Sequence, residues 1–495
     1  MIRDMHKRNL ENTAILILMM TLAFIFLLKS PLHPWIGADS GTDSSVFRTV
    51  AQMIERGYLP YRDTFDHKGP LLYAINYIGN KISPQYGIWG IEFVFMTVTF
   101  FALYKISRLK CHVGFSLIVT MVSISLLFQY FEGGNMTEEY AMPLIAVSIY
   151  IFLDYFINQK ITKMRLFSCG FCFGATLMLR PNMISVWVVF CIYVLVYIAM
   201  NKSWDKLSYF VLWFFLGMSI IVVPIVIWLA INNDLSACWE SYVIFNKKYT
   251  SGDSRRAMLA NEWSSYFFFF NTIVFVLSFC TIAYLCKIKK KELDRVYLIY
   301  MLITLLFICL SGREYNHYGM ILIPAVAYPI ASFASEIESI QSEHIVQILS
   351  TIIGIYFLST IVLPNWLELV SSIPTTYVNK EEEHRSGLAL NIRDIICEHT
   401  TEADSISVYG NWDYLYIVSE RKHATRYSYQ FPIGQVMPEL MEEYMEQLEE
   451  EQPIIIVIED GHFDDNIRTF LDDNQYNLVW SQNGDTMNGA LVYAK

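Results

Sequence analysis

The sequence predicts an α-helical polytopic membrane protein that ends in a small α/β domain, and two observations support this prediction. Long apolar runs alternate with short polar segments as far as about residue 363, after which charged residues become frequent. The chain of 495 residues is 54% hydrophobic and only 17% charged, whereas soluble domains usually carry about a quarter charged residues. We therefore expect a transmembrane domain over residues 1–363 and an extracytoplasmic α/β domain over residues 364–495.

A helix needs about 20 mostly apolar residues to cross the hydrocarbon layer of a membrane, and about eleven runs of the sequence approach that length. These runs cover residues 13–30, 87–107, 113–131, 140–157, 166–181, 183–200, 208–231, 264–286, 296–311, 318–336 and 345–363. The first run is too long for the core of a signal peptide, and no small-residue cleavage site follows it. We therefore expect about 11 transmembrane helices.

Lysine and arginine in the short loops indicate the orientation of these spans, because cytoplasmic loops carry an excess of both. Basic clusters precede the first predicted span and follow the second, fourth, sixth and eighth, which places all of them on one side. The loop after the tenth span is acidic and adds no support. We expect a multi-pass protein of the bacterial plasma membrane with a cytoplasmic N-terminus and an extracytoplasmic tail.

Charge and cysteine content argue against two other classes of protein. The net charge of −11 is unfavourable for binding nucleic acid, which requires basic surfaces. The nine cysteines are scattered, most of them in or beside apolar runs, so no disulfide framework is readable. Cys169 and Cys172 have the spacing of a redox or metal pair, but within a predicted span cysteine is a small hydrophobic residue. The sequence indicates no cofactor, and a divalent metal stays open.

The tail from about residue 384 has the pattern of a small α/β domain. Leu388, Ile392 and Ile396 form a helical stripe, which favours an amphipathic helix. Residues 405–409 and 453–458 are predicted strands, and the second is apolar throughout, as in a sheet covered on both faces. The tail contains no glycine-rich phosphate loop and no metal-ligand spacing. We expect a structural or acceptor-contacting domain.

The first predicted outer loop, residues 31–86, holds the residues best suited to chemistry. Asp43 precedes an amphipathic segment, and Lys68 precedes the Gly69-Pro70 turn. We expect two helical segments that lie in the membrane interface. An isolated aspartate before a helix is usually an N-cap, and a lysine at a membrane surface usually contacts headgroups. Capping and catalysis do not exclude each other, so Asp43 stays a candidate.

Further polar residues are predicted at the outer ends of later spans. They are Glu138, Glu139, Arg180, Arg313 and His317. Adjacent glutamates usually mark a helix start, and a lone histidine in a short loop is more often a bystander than a catalyst. Because acids, cations and aromatic residues all gather on one side of the membrane, a reaction there would have a base for an acceptor hydroxyl. It would also have cations for a phosphate leaving group.

Three motifs of the first loop resemble the signature of the GT-C glycosyltransferases. They are Asp43-Ser-Ser-Val-Phe47, Gly57-x-x-Pro60-Tyr61 and His67-Lys68-Gly69-Pro70-Leu71. The nearest branches are the protein O-mannosyltransferases, the lipid A aminoarabinose transferase and related bacterial enzymes, and the resemblance covers roughly residues 10–363. It implies an inverting transfer of a sugar from a polyprenyl-monophosphate carrier outside the cytoplasm. The acceptor could be a cell-surface glycan, a wall polymer, a lipid or a protein.

The same resemblance implies roles for individual residues. Asp43 would be the general base, and Lys68 would contact the donor phosphate. Many relatives have Asp-Glu at the first motif, whereas Ser44 follows Asp43 here, so Glu138 and Glu139 are candidates for the second carboxylate. The candidate residues for binding the donor phosphate or sugar are His67, Lys68, Arg180, Arg313, His317 and Tyr318.

Three alternative functions stay open. A transporter or flippase for a lipid-linked glycan would place ionisable groups in the middle of its spans, whereas the clear ones here cluster at the outer ends. A non-catalytic membrane scaffold would tolerate replacement of Asp43 and Lys68. A ligase or polymerase of lipid-linked oligosaccharides would use a pyrophosphate donor in place of a monophosphate donor.

Overall fold

The computed structural model divides the chain into two compact units. It describes residues 2–36, 42–159, 161–251, 264–265, 273–288, 291–310, 312–339, 344–378, 384–459, 461–482 and 489–495. The first unit contains Met1–Lys29, Gly90–Ile225 and Gly252–Ile373, and the second contains Ser30–Trp89, Val226–Ser251 and Pro374–Lys495. The predicted first outer loop therefore packs in the same unit as the C-terminal tail.

Helices form the regular structure of the described chain up to residue 378. They are α1 (Ile2–Phe26), α2 (Thr42–Glu55), α3 (Pro70–Ile82), α4 (Gly87–Ser107), α5 (Val113–Leu127), α6 (Thr137–Asn158), α7 (Lys163–Leu179), α8 (Ser185–Met200), α9 (Asp205–Ile231), α10 (Leu235–Trp239), α11 (Asn246–Ser251), α12 (Ile273–Ile288), α13 (Glu292–Cys309), α14 (Leu322–Ser339), α15 (His344–Phe357) and α16 (Leu363–Val378). A π-helical turn at Leu358–Val362 joins α15 to α16, so the helical run is continuous across residue 363. The division into functional domains at that residue stays a prediction.

Several helices have the length and composition of membrane spans. Among the described residues these are Leu10–Lys29, Gly87–Ser107, Thr137–Asn158, Asp205–Ile231, Asn316–Glu338 and Gly354–Ser371, with shorter apolar helices at Val113–Leu127, Ser185–Met200 and Val276–Lys287. Helix α9 exposes Leu212, Phe215 and Ile220. So many large apolar side chains on one helix are typical of contact with lipid. The protein is an integral membrane protein, and the number of eleven spans stays a prediction.

Glycine allows two helices of the first unit to pack closely. A Cβ atom on Gly170 of α7 would lie 1.8 Å from the carbonyl oxygen of Phe214 in α9, and one on Gly217 of α9 would lie 1.9 Å from that of Phe167. Small residues at such crossings are typical of membrane helices. Cys169 and Cys172, on either side of this contact region, are buried free thiols. Their place in the helix packing agrees with the interpretation of both cysteines as small hydrophobic residues of a span.

The tail folds into a five-stranded sheet flanked by helices. After α17 (His384–His399) come β1 (Ser405–Tyr409), α18 (Tyr414–Ser419), β2 (Lys422–His423), α19 (Phe431–Gly434), α20 (Pro438–Glu451), β3 (Ile455–Glu459), α21 (Asp465–Asp473), β4 (Asn477–Gln482) and β5 (Ala490–Ala494). The strand order is β2-β1-β3-β5-β4. Strand β1 is parallel to β2 and β3, whereas β5 is antiparallel to β3 and β4.

The central strand β3 is buried on both faces, as its apolar sequence predicted. Ile455, Ile456 and Val457 are fully buried. The core on one side includes residues of α17 and α18, among them Leu388, Ile392, Ile396, Leu415 and Tyr416. On the other side Tyr444 of α20 shares a hydrogen bond of 2.8 Å with Ser407 of β1. The helical stripe and both predicted strands are therefore present in the structure.

Helix α2 buries its apolar face within the second unit. Val46, Phe47, Val50 and Met53 are at most 4% exposed, and α2 packs against α3 and α18. This face contacts protein, because the tail supplies a partner surface that the local pattern does not reveal. The location of α2 at the membrane interface stays a prediction.

Candidate active site

The residues Asp66, His67 and Lys68 lie at the turn that begins α3. Gly69 is the N-cap of that helix and has extended backbone angles, and Pro70 is its first residue. Proline suits this position because its φ angle is already helical and its missing N–H group is not needed there. The residue before a proline is held extended. The Gly69-Pro70 pair therefore fixes the start of the helix and, with it, the position of Lys68 just before that start.

Asp66 is a buried carboxylate with several hydrogen bonds. Its Oδ2 atom accepts a bond from the Tyr73 hydroxyl at 2.8 Å, and its Oδ1 atom accepts bonds from the Tyr429 hydroxyl at 2.9 Å and from the backbone N–H of His67 at 2.7 Å. Burial alone would raise the pKa of Asp66, but its hydrogen bonds with His67 and the charge of Lys68 lower it to about 2. Asp66 is therefore ionised and fully engaged in holding the turn.

His67 and Lys68 form an adjacent pair of phosphate-binding candidates. The Nε2 atom of His67 lies 3.2 Å from the Nζ atom of Lys68, while its Nδ1 atom lies 3.3 Å from Oδ1 of Asp66. Burial lowers the pKa of His67, the charge of Lys68 lowers it further, and the carboxylates of Asp66 and Asp43 oppose that shift. A neutral ring that donates from Nδ1 can accept from the Lys68 ammonium at Nε2.

Asp43 lies near this pair, in the first turn of α2. The helix begins at Thr42, so Asp43 is a first-turn residue where a negative charge is stabilised by the helix dipole. Its side chain is half-buried, and its charge acts on both His67 and Tyr429. Within the second unit, the structure thus brings together three residues that the sequence singled out: Asp43, His67 and Lys68.

The other acids of the first loop are committed to structural contacts or lie outside the described residues. Asp63 forms an ion pair with Arg62 at 2.8 Å and accepts a hydrogen bond from the backbone N–H of Leu59 at 2.8 Å. Although burial opposes it, these contacts lower the pKa of Asp63. Asp39, the nearest rival of Asp43 in the sequence, lies outside the described residues.

A second group of the predicted residues lies in the first unit around Arg180. Arg180 ends α7 with extended backbone angles, as expected for a residue before proline. Its guanidinium forms an ion pair with Glu138 and lies 4.1 Å from the centre of the Tyr318 ring. Three predicted residues therefore contact one another, but the charge of Arg180 is already paired with a carboxylate.

Of the remaining candidates in the first unit, His317 and Arg313 have different surroundings. The Nδ1 atom of His317 lies 2.8 Å from Oε2 of Glu132, and Asn316 donates to the same carboxylate at 2.8 Å. These bonds lower the pKa of Glu132, although its partial burial opposes the shift. Arg313 is exposed. Glu132 is thus a partner of the predicted histidine that the sequence did not indicate.

Glu139 is a fully buried residue of the first unit. It lies in the first turn of α6, and the equally buried Glu92 of α4 accepts a hydrogen bond from the backbone N–H of Asn135 at 2.6 Å. Glu139 lies near the start of α6, and Glu92 lies near the start of α4. A carboxylate in such a position can accept hydrogen bonds from backbone N–H groups at a helix start.

No group of three metal-ligating side chains is present among the residues that the structure describes. The donors near Asp43 are instead a histidine, a lysine and tyrosine hydroxyls. A histidine and a lysine can hold an anion such as phosphate.

Three further residues of the second unit complete the surroundings of His67, and the sequence did not identify any of them as functional. Tyr429 belongs to the C-terminal domain and bonds to Asp66. Asn246 donates from Nδ2 to the backbone oxygen of His67 at 2.7 Å, and Tyr249 stacks on the His67 ring with centroids 5.7 Å apart. All three come from segments far away in the sequence, so no local motif could have indicated them.

The fold is similar to that of two solved structures of ArnT. For ArnT from Cupriavidus metallidurans bound to undecaprenyl phosphate, the TM-score is 0.61 at 11% identity, and the match covers 97% of this chain and 98% of that chain. For ArnT from the same organism in the apo state, the TM-score is 0.60 at the same identity and coverage. No curated protein matches the sequence.

Fold and composition together define the class: an integral membrane protein whose fold is similar to that of ArnT. The chain belongs to the family described as the competence-induced protein Ccs4 N-terminal domain, whose model matches residues 3–366. The match ends before the α/β tail, so the family model describes the helical part of the chain together with the first loop.

Proposed function

We propose that the protein is a membrane glycosyltransferase that moves a sugar from a polyprenyl-monophosphate carrier to an extracytoplasmic acceptor. The observation that carries this proposal is the likeness of nearly the whole chain to ArnT in a structure bound to undecaprenyl phosphate. The His67–Lys68 pair supports it, because a lysine beside a histidine in a protein turn can hold a monophosphate headgroup. The acceptor would be a surface glycan, a wall polymer, a lipid or a protein.

The donor headgroup requires cations in a position to meet it. Lys68 and His67 are the proposed ligands within the second unit. Donor-binding roles for Arg180, Arg313, His317 and Tyr318 of the first unit stay predictions from the sequence. Arg180 is paired with Glu138 in the structure. A phosphate that binds Arg180 would therefore share or replace a carboxylate partner, which would make its affinity depend on Glu138.

The proposed reaction is a single inverting displacement at the anomeric carbon. The acceptor hydroxyl attacks that carbon from the face opposite the phosphate, its new C–O bond forms, and the bond between the carbon and the phosphate oxygen breaks. Asp43 takes the proton of the attacking hydroxyl. The polyprenyl phosphate leaves with the bonding electrons, and the cations that hold it stabilise the additional negative charge.

Asp43 is the best candidate for the base among the described acids of the first loop. A base must be ionised, accessible and free to accept a proton. Asp66 is 2% exposed and accepts bonds from two tyrosines, while Asp63 is paired with Arg62. Asp43 is half-buried at a helix start. Roles for Glu138 and Glu139 as substitute carboxylates stay predictions.

The proposed reaction takes place outside the cytoplasm. Polyprenyl-phosphate sugars present their headgroups at the membrane interface, so the first loop and the tail would both lie on the extracytoplasmic side. This orientation agrees with the distribution of lysine and arginine in the short loops. In a bacterial cell the protein would reside in the plasma membrane.

Mass spectrometry of lipids from a deletion strain tests the proposed function. Loss of the transferase should cause a polyprenyl-phosphate monosaccharide to accumulate, and restoring the wild-type gene should remove it. A matched strain that carries Asp43→Asn should accumulate the same lipid. Accumulation of a pyrophosphate-linked oligosaccharide would indicate a ligase or polymerase. An unchanged lipid profile would contradict the transferase and favour a non-catalytic scaffold.

A further inference from the structure

A short segment of the C-terminal domain is bonded to the loop that carries His67 and Lys68. This clamp segment, residues 423–430, runs between strand β2 and helix α19. The loop in question, residues 61–68, lies between α2 and α3. Although more than 350 positions separate them in the sequence, both belong to the second unit.

Three contacts of the clamp segment hold the first half of the loop. The backbone N–H of Phe65 donates to the carbonyl oxygen of Arg426 at 2.8 Å, and Nε of Arg426 donates to the carbonyl oxygen of Tyr61 at 2.8 Å. The Nε2 atom of His423 lies 3.1 Å from the Thr64 hydroxyl. Two of these contacts are made to backbone atoms of the loop, so they hold its backbone directly and do not depend on the loop's side chains.

Tyr429 makes the fourth contact, and that contact reaches the candidate site. Its hydroxyl donates to Oδ1 of Asp66 at 2.9 Å and lies 3.4 Å from Nδ1 of His67. The same Oδ1 atom accepts the backbone N–H of His67 at 2.7 Å. Tyr429 and Asp66 therefore enclose one edge of the His67 ring, while Lys68 lies 3.2 Å from its other edge.

We propose that Tyr429 is a positioning residue, through which the C-terminal domain holds the His67–Lys68 pair in the geometry that binds the donor phosphate. This inference rests on the proposed function. It assigns the tail a part in donor binding, where the sequence indicated only a structural or acceptor-contacting domain. Tyr429 acts through Asp66: the hydroxyl keeps that carboxylate in place, and the carboxylate orients the Nδ1 edge of the imidazole. The Nε2 edge then faces the Lys68 ammonium.

A matched pair of variants tests the proposal in the full-length protein in detergent or nanodiscs. Tyr429→Phe removes the hydroxyl that reaches Asp66. Tyr427→Phe is the control, because Tyr427 is in the same segment, is equally buried, and donates its hydroxyl to Glu443 at 2.6 Å. Its ring packs on Phe65 at 5.5 Å, a contact that phenylalanine retains. Each variant thus loses one tyrosine–carboxylate hydrogen bond, and Tyr427→Phe also loses the bond that its hydroxyl accepts from Nη1 of Arg426 at 3.3 Å. Only Tyr429→Phe loses a bond to the loop itself.

Two measurements are made on each variant: the affinity for undecaprenyl phosphate, and hydrogen–deuterium exchange of the peptide that covers residues 61–73. We expect Tyr429→Phe to weaken binding by about ten-fold, as loss of one hydrogen bond to a charged group implies, and to speed exchange of the amides near His67. Tyr427→Phe should leave binding within about two-fold and the loop peptide unchanged. Both variants should melt at similar temperatures.

The two measurements separate failure of this proposal from failure of the proposed function. Equal behaviour of the two variants in loop exchange would overturn the positioning role, whether or not the lipid binds. Faster loop exchange in Tyr429→Phe with unchanged lipid affinity would also overturn it. If wild-type protein binds no undecaprenyl phosphate, the proposed donor class is wrong, and the link from Tyr429 to donor binding is overturned with it.

Discussion

Replacing Asp43 with asparagine should remove most of the transferase activity and leave the protein folded and inserted. Asparagine has nearly the same size as aspartate and is equally well accepted at helix starts, but it cannot take the proton of the acceptor hydroxyl. Asp43 is half-buried in the first turn of α2, while the apolar residues that anchor this helix are on its buried side. The substitution therefore changes the chemistry without changing the packing.

The expected losses of activity and of stability differ enough to be told apart. A positioned general base contributes roughly 100- to 10,000-fold to the rate, which corresponds to about 2.7–5.4 kcal/mol of transition-state stabilisation. The charge of a first-turn carboxylate at an accessible helix start contributes only about 0.3–1 kcal/mol to folding. A 100-fold loss of rate with little change in melting temperature would thus show that Asp43→Asn impairs the chemical step and not folding.

The assay is transfer from a radiolabelled polyprenyl-phosphate sugar in membranes that contain equal amounts of each variant. Undecaprenyl phosphate affinity should stay within about three-fold for Asp43→Asn, because the phosphate ligands are other residues. Asp39→Asn is the control, since it removes a neighbouring carboxylate of the same loop. Full activity of Asp43→Asn together with inactive Asp39→Asn would move the base to Asp39. Full activity of both would refute the assignment of this loop as catalytic.

Three further predictions concern the phosphate ligand, a buried acid and the topology. Lys68→Ala should lower the rate of transfer at least ten-fold, equivalent to about 1.4 kcal/mol of transition-state stabilisation. The control Lys81→Ala, at an exposed lysine of α3, should not lower it. Equal activity of both variants would remove Lys68 from the site. Burial, with a smaller contribution from the charge of Asp66, raises the pKa of Asp413 from 3.8 to about 7. The free energy of unfolding therefore falls as pH rises from about 4 to about 7, because in this range the unfolded chain has released the proton that the folded protein still holds. Asp413→Asn should therefore stabilise the protein more at pH 8 than at pH 5, with a difference of about 2–3 kcal/mol in the free energy of unfolding. An equal effect at both pH values would contradict this. A reporter fused after Lys495 should be active only outside the cytoplasm, and cytoplasmic activity would show that one span was miscounted.

The helical part of the fold could be predicted because a membrane imposes its requirements locally. Each crossing helix needs its own run of apolar residues, so spans such as 87–107 and 208–231 are visible without knowledge of their neighbours. The α/β tail was equally readable, since the apolar strand at 453–458 has to be covered on both faces. The continuous helix across residue 363 could not be predicted from hydropathy. An apolar run ends where hydropathy falls, whereas a helix continues as long as its backbone hydrogen bonds are satisfied.

The candidate site was only partly predictable from the sequence. Asp43, His67 and Lys68 could be singled out because short motifs of the first loop carry them. Tyr429, by contrast, is one of 32 tyrosines and has no local signal.

The sequence by itself determined which segments are apolar enough to enter a membrane and which loop holds acids beside cations. Only the tertiary structure decided which of these charges are already paired. Asp66 is engaged because two tyrosines from different segments reach its buried carboxylate, and Arg180 is paired because Glu138 lies beside it. A buried charge needs partners, and those partners can come from anywhere in the chain. Whether a given acid is free to act as a base therefore depends on three-dimensional packing and not on the residues next to it.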